Sequence, residues 1–306
     1  MKTLLPAAAS LAALVLWSAP APGQSRSSGK THTRQIFVSV TDKDGAPITG
    51  LAAADFRVSE GGQARTVSHV GPANQPMRIA LMLDTGAGTA PSLLHMRGAA
   101  AAFLDTLPPD DEVLLITTGR QVRVRLPPTT DRQKVKDLVA GLFNDGGPTV
   151  LMDGLLEIDE RYFRKAEDRW PVFVIFTSDG MEGSGGGREN EFMKWALTLS
   201  SRGVSTHALV LKTPKGRGVP EATAMPEIVA ENLTQNSGGE YDVMNTTAAL
   251  ADKMKALALT LARAHRNMNG WYAVEIQTAA AEAGTVDVTV ARDGVLLRVS
   301  EHPRGR

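Results

Sequence analysis

The chain has 306 residues, of which 42% are hydrophobic and 22% are charged. These proportions are typical of a soluble globular protein and differ from those of a disordered chain. The 33 basic and 33 acidic side chains balance, so no net charge favours nucleic acid or an anionic membrane as a partner. Because there is no cysteine, disulfides, zinc–thiolate sites, thiol nucleophiles and a lipid-anchoring cysteine are excluded.

Residues 1–23 have the pattern of a secretory signal peptide. Lys2 gives a basic start, Leu4–Trp17 is apolar, and small residues suited to cleavage follow at 18–24. The apolar run is shorter than the roughly 20 residues of a membrane span, and no second span follows it. We therefore predict an exported protein, periplasmic or secreted, with no stable membrane span after cleavage; an uncleaved membrane anchor is the alternative. Residues 24–33 are predicted to form a flexible leader.

Two segments at the ends of the remaining chain, 34–75 and 268–306, have the alternating pattern of β-strands. Each predicts three short strands bounded by turn residues, and a hairpin turn is predicted at 292–294. The six strands are expected at Gln35–Val40, Phe56–Glu60, Thr66–Val70, Trp271–Gln277, Thr285–Ala291 and Val295–Val299. Neither segment has enough strands for a core of its own. We expect the two segments to pair into one small β-domain.

Between these segments, residues 76–267 alternate between apolar strands and amphipathic helices. The apolar runs Ile79–Leu83, Val113–Thr117 and Pro171–Thr177 predict strands that are buried on both faces of a sheet. Helical spacing separates these runs and continues to a last amphipathic helix at Thr247–Ala264. The alternation predicts an α/β fold of the doubly wound type, with a mostly parallel, Rossmann-like sheet.

Three polar residues stand where such a sheet binds its ligands. Asp84 and Asp179 each follow an apolar strand, and Thr149 precedes a helix that begins near Leu151. In an open parallel sheet, ligands bind beyond the carboxyl ends of the strands at a topological switch point. Two carboxylates and a hydroxyl at one sheet edge suit a hard divalent cation such as Mg²⁺.

Three sequence segments resemble the three parts of the metal-ion-dependent adhesion site of von Willebrand factor A domains. They are Ile79–Gly88 (IALMLDTGAG), Gly147–Asp153 (GPTVLMD) and Val172–Gly180 (VFVIFTSDG). The parts stand in the family's order, and the resemblance covers about 78–267. The β segments on either side resemble those of exported bacterial proteins that carry such a domain. The resemblance implies a von Willebrand factor A-like domain that binds a protein partner.

The same resemblance implies a metal site in which two ligands are missing. Asp84, Thr149 and Asp179 match the family's first acid, its threonine and its second acid. Gly86 and Gly88 stand where the family has two metal-ligating serines, and glycine has no side-chain oxygen. We therefore expect weak binding of Mg²⁺ or Mn²⁺. The alternative left open is a site without metal, in which Asp84 caps the following loop and Asp179 stabilises its turn.

Three functions follow from these residues. The first is a non-enzymatic protein-binding or adhesion module of the von Willebrand factor A type, with a degenerate metal site and an unidentified partner. The second is a metal-free structural or assembly domain of the cell envelope. The third is a metal-assisted hydrolase using Asp84 and Asp179, for which the sequence offers no general base. The glycine-rich run Gly183–Gly187 lacks the lysine of a phosphate-binding loop and is predicted to be a surface loop.

Overall fold

The computed structural model describes residues 32–164, 169–212, 225–278 and 284–300. The predicted signal peptide and most of the predicted leader lie outside the described residues. The first strand begins at His32, two residues before the predicted β segment. Within the described residues, no helix is long and apolar enough to cross a membrane.

The described chain contains twelve strands and six α-helices. The strands are β1 (His32–Thr41), β2 (Phe56–Glu60), β3 (Gln63–Pro72), β4 (Met77–Leu83), β5 (Glu112–Thr118), β6 (Val122–Thr129), β7 (Trp170–Ser178), β8 (Ser205–Leu211), β9 (Tyr241–Met244), β10 (Trp271–Thr278), β11 (Val286–Val290) and β12 (Leu296–Ser300). The helices are α1 (Leu93–Thr106), α2 (Arg132–Ala140), α3 (Leu151–Ile158), α4 (Glu189–Ala196), α5 (Met225–Ser237) and α6 (Leu250–Asn267).

Both ends of the described chain build one antiparallel sheet, in the order β11-β2-β3-β10-β1-β12. The central contact joins β1 to β10, with His32 opposite Thr278 and Ser39 opposite Trp271. Alternate side chains of these strands form a separate apolar core that includes Ile36, Val38 and Val274. The predicted pairing of the two flanking segments is confirmed.

The predicted hairpin at 292–294 is wrong in its pairing. β11 pairs with β2, with Val286 opposite Glu60, and β12 pairs with β1, with Phe37 opposite Ser300. β2 and β1 are the outer strands of the four-stranded part β2-β3-β10-β1, so β11 and β12 extend the sheet at opposite edges. Local turn chemistry identifies the reversal of the chain but does not choose the partner of each strand.

The end of β2 carries a buried ion cluster that joins four strands of this sheet. Glu60 is 3% exposed, and its carboxylate accepts hydrogen bonds from Arg34, from Arg65 (3.0 Å) and from the Thr278 hydroxyl (2.7 Å). These contacts lower the pKa of Glu60, although its burial alone would raise it. The cluster connects residues from both ends of the chain.

The second sheet has the order β6-β5-β4-β7-β8-β9, and all neighbours except β5 and β6 run parallel. Helices α1, α2 and α6 pack on one face, and α3, α4 and α5 pack on the other. The doubly wound α/β fold is confirmed. The chain proceeds from β4 to β5 on one side and later enters β7 on the other side, so the topological switch point lies between β4 and β7.

The helix after Thr149 is shorter than predicted. Its spacing predicts a helix from Leu151 to Lys165, but α3 ends at Ile158 and a π-helical turn follows at Asp159–Phe163. Asp159 is fully buried, and its carboxylate accepts two hydrogen bonds from the Arg202 guanidinium (2.7 and 2.9 Å). The π-helical turn thus carries an ion pair to a residue 43 positions along the chain, a contact that the spacing of apolar residues cannot indicate.

The two sheets pack against each other through β1. Phe37 belongs to the core of the α/β part, where its ring meets Trp170 edge-on at a centroid distance of 5.8 Å. An edge-to-face pair of aromatic rings contributes an attraction in addition to the free energy gained by burying its apolar surface.

Candidate functional site

Asp84 lies at the carboxyl end of β4, at the switch point of the parallel sheet. Its backbone N–H donates to the Phe176 carbonyl (2.9 Å), which extends the β4–β7 pairing by one residue. One carboxylate oxygen, Oδ1, accepts from the Gly86 N–H (2.7 Å), and Oδ2 accepts from the hydroxyls of Thr177 (3.2 Å) and Ser178 (3.4 Å). Asp84 is 1% exposed, and this burial raises its pKa to about 6. Hydrogen bonds from the backbone N–H groups of Gly86 and Ser178 and from the hydroxyls of Thr177 and Thr149 oppose the rise.

Thr149 lies in the loop before α3, beside Asp84. Its hydroxyl donates to the Thr118 carbonyl and lies within hydrogen-bonding reach of the Asp84 carboxylate. A hydroxyl has one proton and two lone pairs, so donation to Thr118 leaves its oxygen able to face a cation. The backbone N–H of Thr149 donates to the Met181 carbonyl (2.9 Å), which holds this loop against the segment that follows β7.

Asp179 directly follows β7 and is 4% exposed. Its backbone N–H donates to the Leu211 carbonyl (3.1 Å) at the end of the neighbouring strand β8. The preceding residue, Ser178, contacts Asp84 through its hydroxyl. Asp84 and Asp179 thus lie at the carboxyl ends of the adjacent strands β4 and β7, and Thr149 reaches Asp84 from the loop before α3.

Glu182 positions the start of α3 and was missed by the sequence analysis. Its carboxylate accepts the Leu151 N–H (3.1 Å) and the Ser184 N–H (3.0 Å), so it caps the helix that follows Thr149. Burial raises the pKa of Glu182, and these hydrogen bonds limit the rise. Sequence patterns for helix caps cover only the residues just before a helix and those in its first turn. Glu182 lies 31 residues after Leu151, so no such pattern includes it.

The loop after Asp84 is held by its neighbours through threonine and asparagine side chains. The Thr85 hydroxyl donates to Asp145 (2.8 Å), and the Thr89 hydroxyl donates to the carbonyl of Asp84 (2.7 Å). Asn144 donates to the Thr85 carbonyl (2.9 Å). Both threonine hydroxyls near the two glycines are therefore used for loop structure.

The two glycines, Gly86 and Gly88, are not required by backbone conformation, since neither has a positive φ. A Cβ at Gly86 would lie 3.0 Å from both Asp84 Oδ1 and the Gly147 carbonyl. A Cβ at Gly88 would lie only 2.3 Å from Ser178 Oγ. Glycine is thus favoured at both positions by the lack of room for a Cβ and not by backbone conformation. At position 88, the atom that would clash with a Cβ is the Ser178 hydroxyl oxygen.

The side chains at this sheet edge offer oxygen donors, the ligand type that hard divalent cations take. They are the carboxylates of Asp84 and Asp179 and the hydroxyls of Thr149, Thr177 and Ser178. Within the described ranges, no three His, Cys, Asp or Glu side chains form a cluster, so the hydroxyls are needed to complete a ligand set. Thr177 and Ser178 are not among the residues predicted from the sequence, although two adjacent hydroxyl residues directly before Asp179 pointed to further oxygen donors there.

The rim of the site combines positive charge with exposed apolar side chains. Arg120 is exposed beside Gly147, and in the part of the chain that the structure describes it has no hydrogen-bond or ion-pair partner. The guanidinium of Arg125 lies 5.8 Å from the centre of the Phe143 ring. Phe143 is 53% exposed and Met181 is 63% exposed.

A doubly wound sheet with acidic and hydroxyl side chains at its switch point defines the class of this domain. The family model of the von Willebrand factor type A domain matches residues 79–182, which include all three predicted site residues. The α/β part is therefore a von Willebrand factor A-like domain, as the sequence resemblance predicted. Domains of this family often mediate protein–protein adhesion.

Solved structures of three such proteins are similar to the chain. A von Willebrand factor type A protein from Catenulispora acidiphila has 13% identity and a TM-score of 0.49; the match covers 78% of this chain and 52% of that one. The conserved hypothetical protein BatB from Bacteroides thetaiotaomicron has 16% identity and a TM-score of 0.48, with coverages of 61% and 98%. The manganese-loaded TRAP protein of Plasmodium vivax has 13% identity and a TM-score of 0.45, with coverages of 76% and 80%. No curated protein matches the chain in sequence.

Proposed function

We propose that the protein is an exported, non-enzymatic binding module and that Asp84, Thr149 and Asp179 hold a weakly bound Mg²⁺ or Mn²⁺ at its contact surface. The observation that carries the proposal is the buried Asp84 carboxylate, which hydroxyl groups surround at the switch point of the sheet. A cation at this place would offset the cost of burying the Asp84 charge and would attract a carboxylate of a partner protein.

The rim supports a partner that is acidic and partly apolar. Arg120 offers an exposed guanidinium beside the site, and guanidinium groups bind carboxylates in a bidentate manner. Phe143 and Met181 offer apolar surface on the same loops that carry Thr149 and follow Asp179. A protein segment with a carboxylate next to an apolar side chain would use both features.

The metal half of the proposal predicts weak, Asp84-dependent binding. Calorimetric titration of Mn²⁺ into the purified protein is expected to give a dissociation constant of about 10⁻⁴–10⁻³ M, the range of sites with few protein ligands. Asp84→Ala and Asp179→Ala are expected to abolish it. Asp293→Ala, which removes an exposed carboxylate in the turn between β11 and β12, should bind as the wild type does. Equal heats for the wild type and Asp84→Ala would refute the metal site.

A metal-free assembly domain is the second candidate, and the packing at Gly86 favours it. The loop after Asp84 approaches Gly147 so closely that a Cβ at 86 would lie 3.0 Å from the Gly147 carbonyl, which leaves little room for a further ligand there. Cross-linked capture from the envelope of the producing cell separates the candidates. Capture that needs Mn²⁺ and is lost in chelator supports the first, and capture that is unchanged in chelator supports the second.

The export half of the proposal rests on the basic start at Lys2, the apolar run Leu4–Trp17 and the small residues at 18–24. Expression of the full chain in a bacterial host, followed by fractionation and N-terminal sequencing, is expected to give a periplasmic or secreted product cleaved after residue 19–24. A product that keeps Met1 and stays in the membrane fraction would instead indicate an uncleaved anchor.

A further inference from the structure

The side chain of Ser178 occupies the place where the second missing serine of the metal site would begin. A Cβ at Gly88 would lie 2.3 Å from Ser178 Oγ and 3.2 Å from Ser178 Cβ, with Gly180 Cα next at 3.7 Å. Because φ at Gly88 is not positive, a serine there would meet no backbone strain. The Ser178 side chain is the obstacle to a residue larger than glycine at position 88.

The Ser178 hydroxyl also contacts Asp84, the first acid of the proposed ion site. Its hydrogen bond to Asp84 Oδ2 is weak, because the 3.4 Å between the two oxygens exceeds the usual range for a hydroxyl donor. The separation is closer to that of two neighbouring oxygen ligands on one octahedral cation, which is about 3.0 Å for metal–oxygen bonds of about 2.1 Å. Ser178 is 1% exposed, so its hydroxyl points into the protein at this edge and not into solvent.

We propose that Ser178 supplies to the divalent cation the hydroxyl oxygen that Gly88 lacks. The inference rests on the proposed metal site and changes its set of ligands. The hydroxyl ligand that Gly88 cannot provide, in the loop after β4, comes instead from Ser178 at the end of β7. The glycine at 88 is then part of the site, because a larger residue there would displace the Ser178 hydroxyl.

An exchange of the two residues tests this assignment. Ser178→Ala is expected to weaken Mn²⁺ binding about tenfold and to raise the number of water molecules on the bound Mn²⁺ by one, measured by water-proton relaxation. Gly88→Ala, which keeps Ser178 but pushes its hydroxyl aside, is expected to weaken binding similarly. The double variant Ser178→Ala/Gly88→Ser should restore both the affinity and the water number, since the hydroxyl then comes from position 88.

The matched control is Ser178→Ala/Gly88→Ala, which differs from the restoring variant by one oxygen atom and should not recover. Thermal melts of all variants in chelator establish that each is folded. Wild-type affinity and water number in Ser178→Ala would overturn the role of Ser178 while leaving the metal site in place. Failure of the wild type to bind Mn²⁺ at all would overturn both proposals.

Discussion

Replacement of Asp159 by alanine is expected to lower the free energy of unfolding by about 3–5 kcal/mol, the usual cost of removing one partner from a buried ion pair. Asp159 is fully buried at the π-helical turn after α3. Its carboxylate accepts two hydrogen bonds from Arg202 and one from the Trp195 indole N–H (2.9 Å). The substitution leaves the largely buried Arg202 guanidinium without its carboxylate and the buried Trp195 N–H without an acceptor.

Arg164 provides the matched control for this substitution. It also contacts Asp159 (3.1 Å), but its side chain is 59% exposed. Arg164→Ala is therefore expected to cost less than about 1 kcal/mol, because exposed ion pairs contribute little. Urea denaturation of the two variants and the wild type gives the comparison. Equal losses for Asp159→Ala and Arg164→Ala would show that the Arg202 and Trp195 contacts do not stabilise the fold.

Replacement of Asp84 by asparagine is expected to stabilise the protein at pH 8 by about 2–3 kcal/mol in the presence of chelator. The size follows from the pKa of Asp84, which burial raises from 3.8 to about 6, because each pKa unit corresponds to about 1.4 kcal/mol. Asparagine retains the shape and an acceptor for the Gly86 N–H, and the Thr177 and Ser178 hydroxyls can turn to accept from its amide. A gain in stability on replacement is expected of a residue that is retained for function although it destabilises the fold.

The sign of the pH dependence follows from proton binding. Between pH 4 and pH 6 the folded state holds the Asp84 proton more tightly than the unfolded chain does, so this group makes the wild type less stable as the pH rises through that window. The advantage of Asp84→Asn should therefore be small at pH 4 and full above pH 6. Asp293→Asn, an exposed control, should change stability by less than about 0.5 kcal/mol at either pH. A loss of stability in Asp84→Asn at pH 8 would mean that the carboxylate serves mainly as a cap of the loop.

Periodicity was sufficient to predict the α/β fold, because its strands are buried on both faces and its helices are amphipathic. The apolar runs that predicted Ile79–Leu83 and Pro171–Thr177 correspond to β4 and β7, the two central strands of the sheet. Asp84 and Asp179 could be placed from the same pattern, since the end of a buried parallel strand is a defined location. The alternating segments at the chain ends likewise predicted a joint sheet, because neither had enough strands to be stable alone.

Features that depend on contacts between distant segments could not be predicted. The partners of β11 and β12 depend on which sheet edges remain free, and the π-helical turn after α3 coincides with a long-range ion pair between Asp159 and Arg202. The role proposed for Ser178 rests on the packing of the end of β7 against the loop after β4, where a Cβ at Gly88 would lie 2.3 Å from Ser178 Oγ. From the sequence alone, Gly88 indicates only that a ligating serine is absent. In the structure, the Ser178 hydroxyl lies where a side chain at position 88 would begin.

The most direct test of the proposed function is a crystal structure of the protein grown in millimolar Mn²⁺. Anomalous difference maps are recorded near the manganese absorption edge. We predict one strong peak at the carboxyl ends of β4 and β7, bonded directly or through water to Asp84, Thr149 and Asp179, and in contact with the Ser178 hydroxyl. A map without a peak at this edge, in which Asp84 keeps only its hydrogen bonds to Gly86, Thr177 and Ser178, would contradict the metal site and favour a metal-free contact surface.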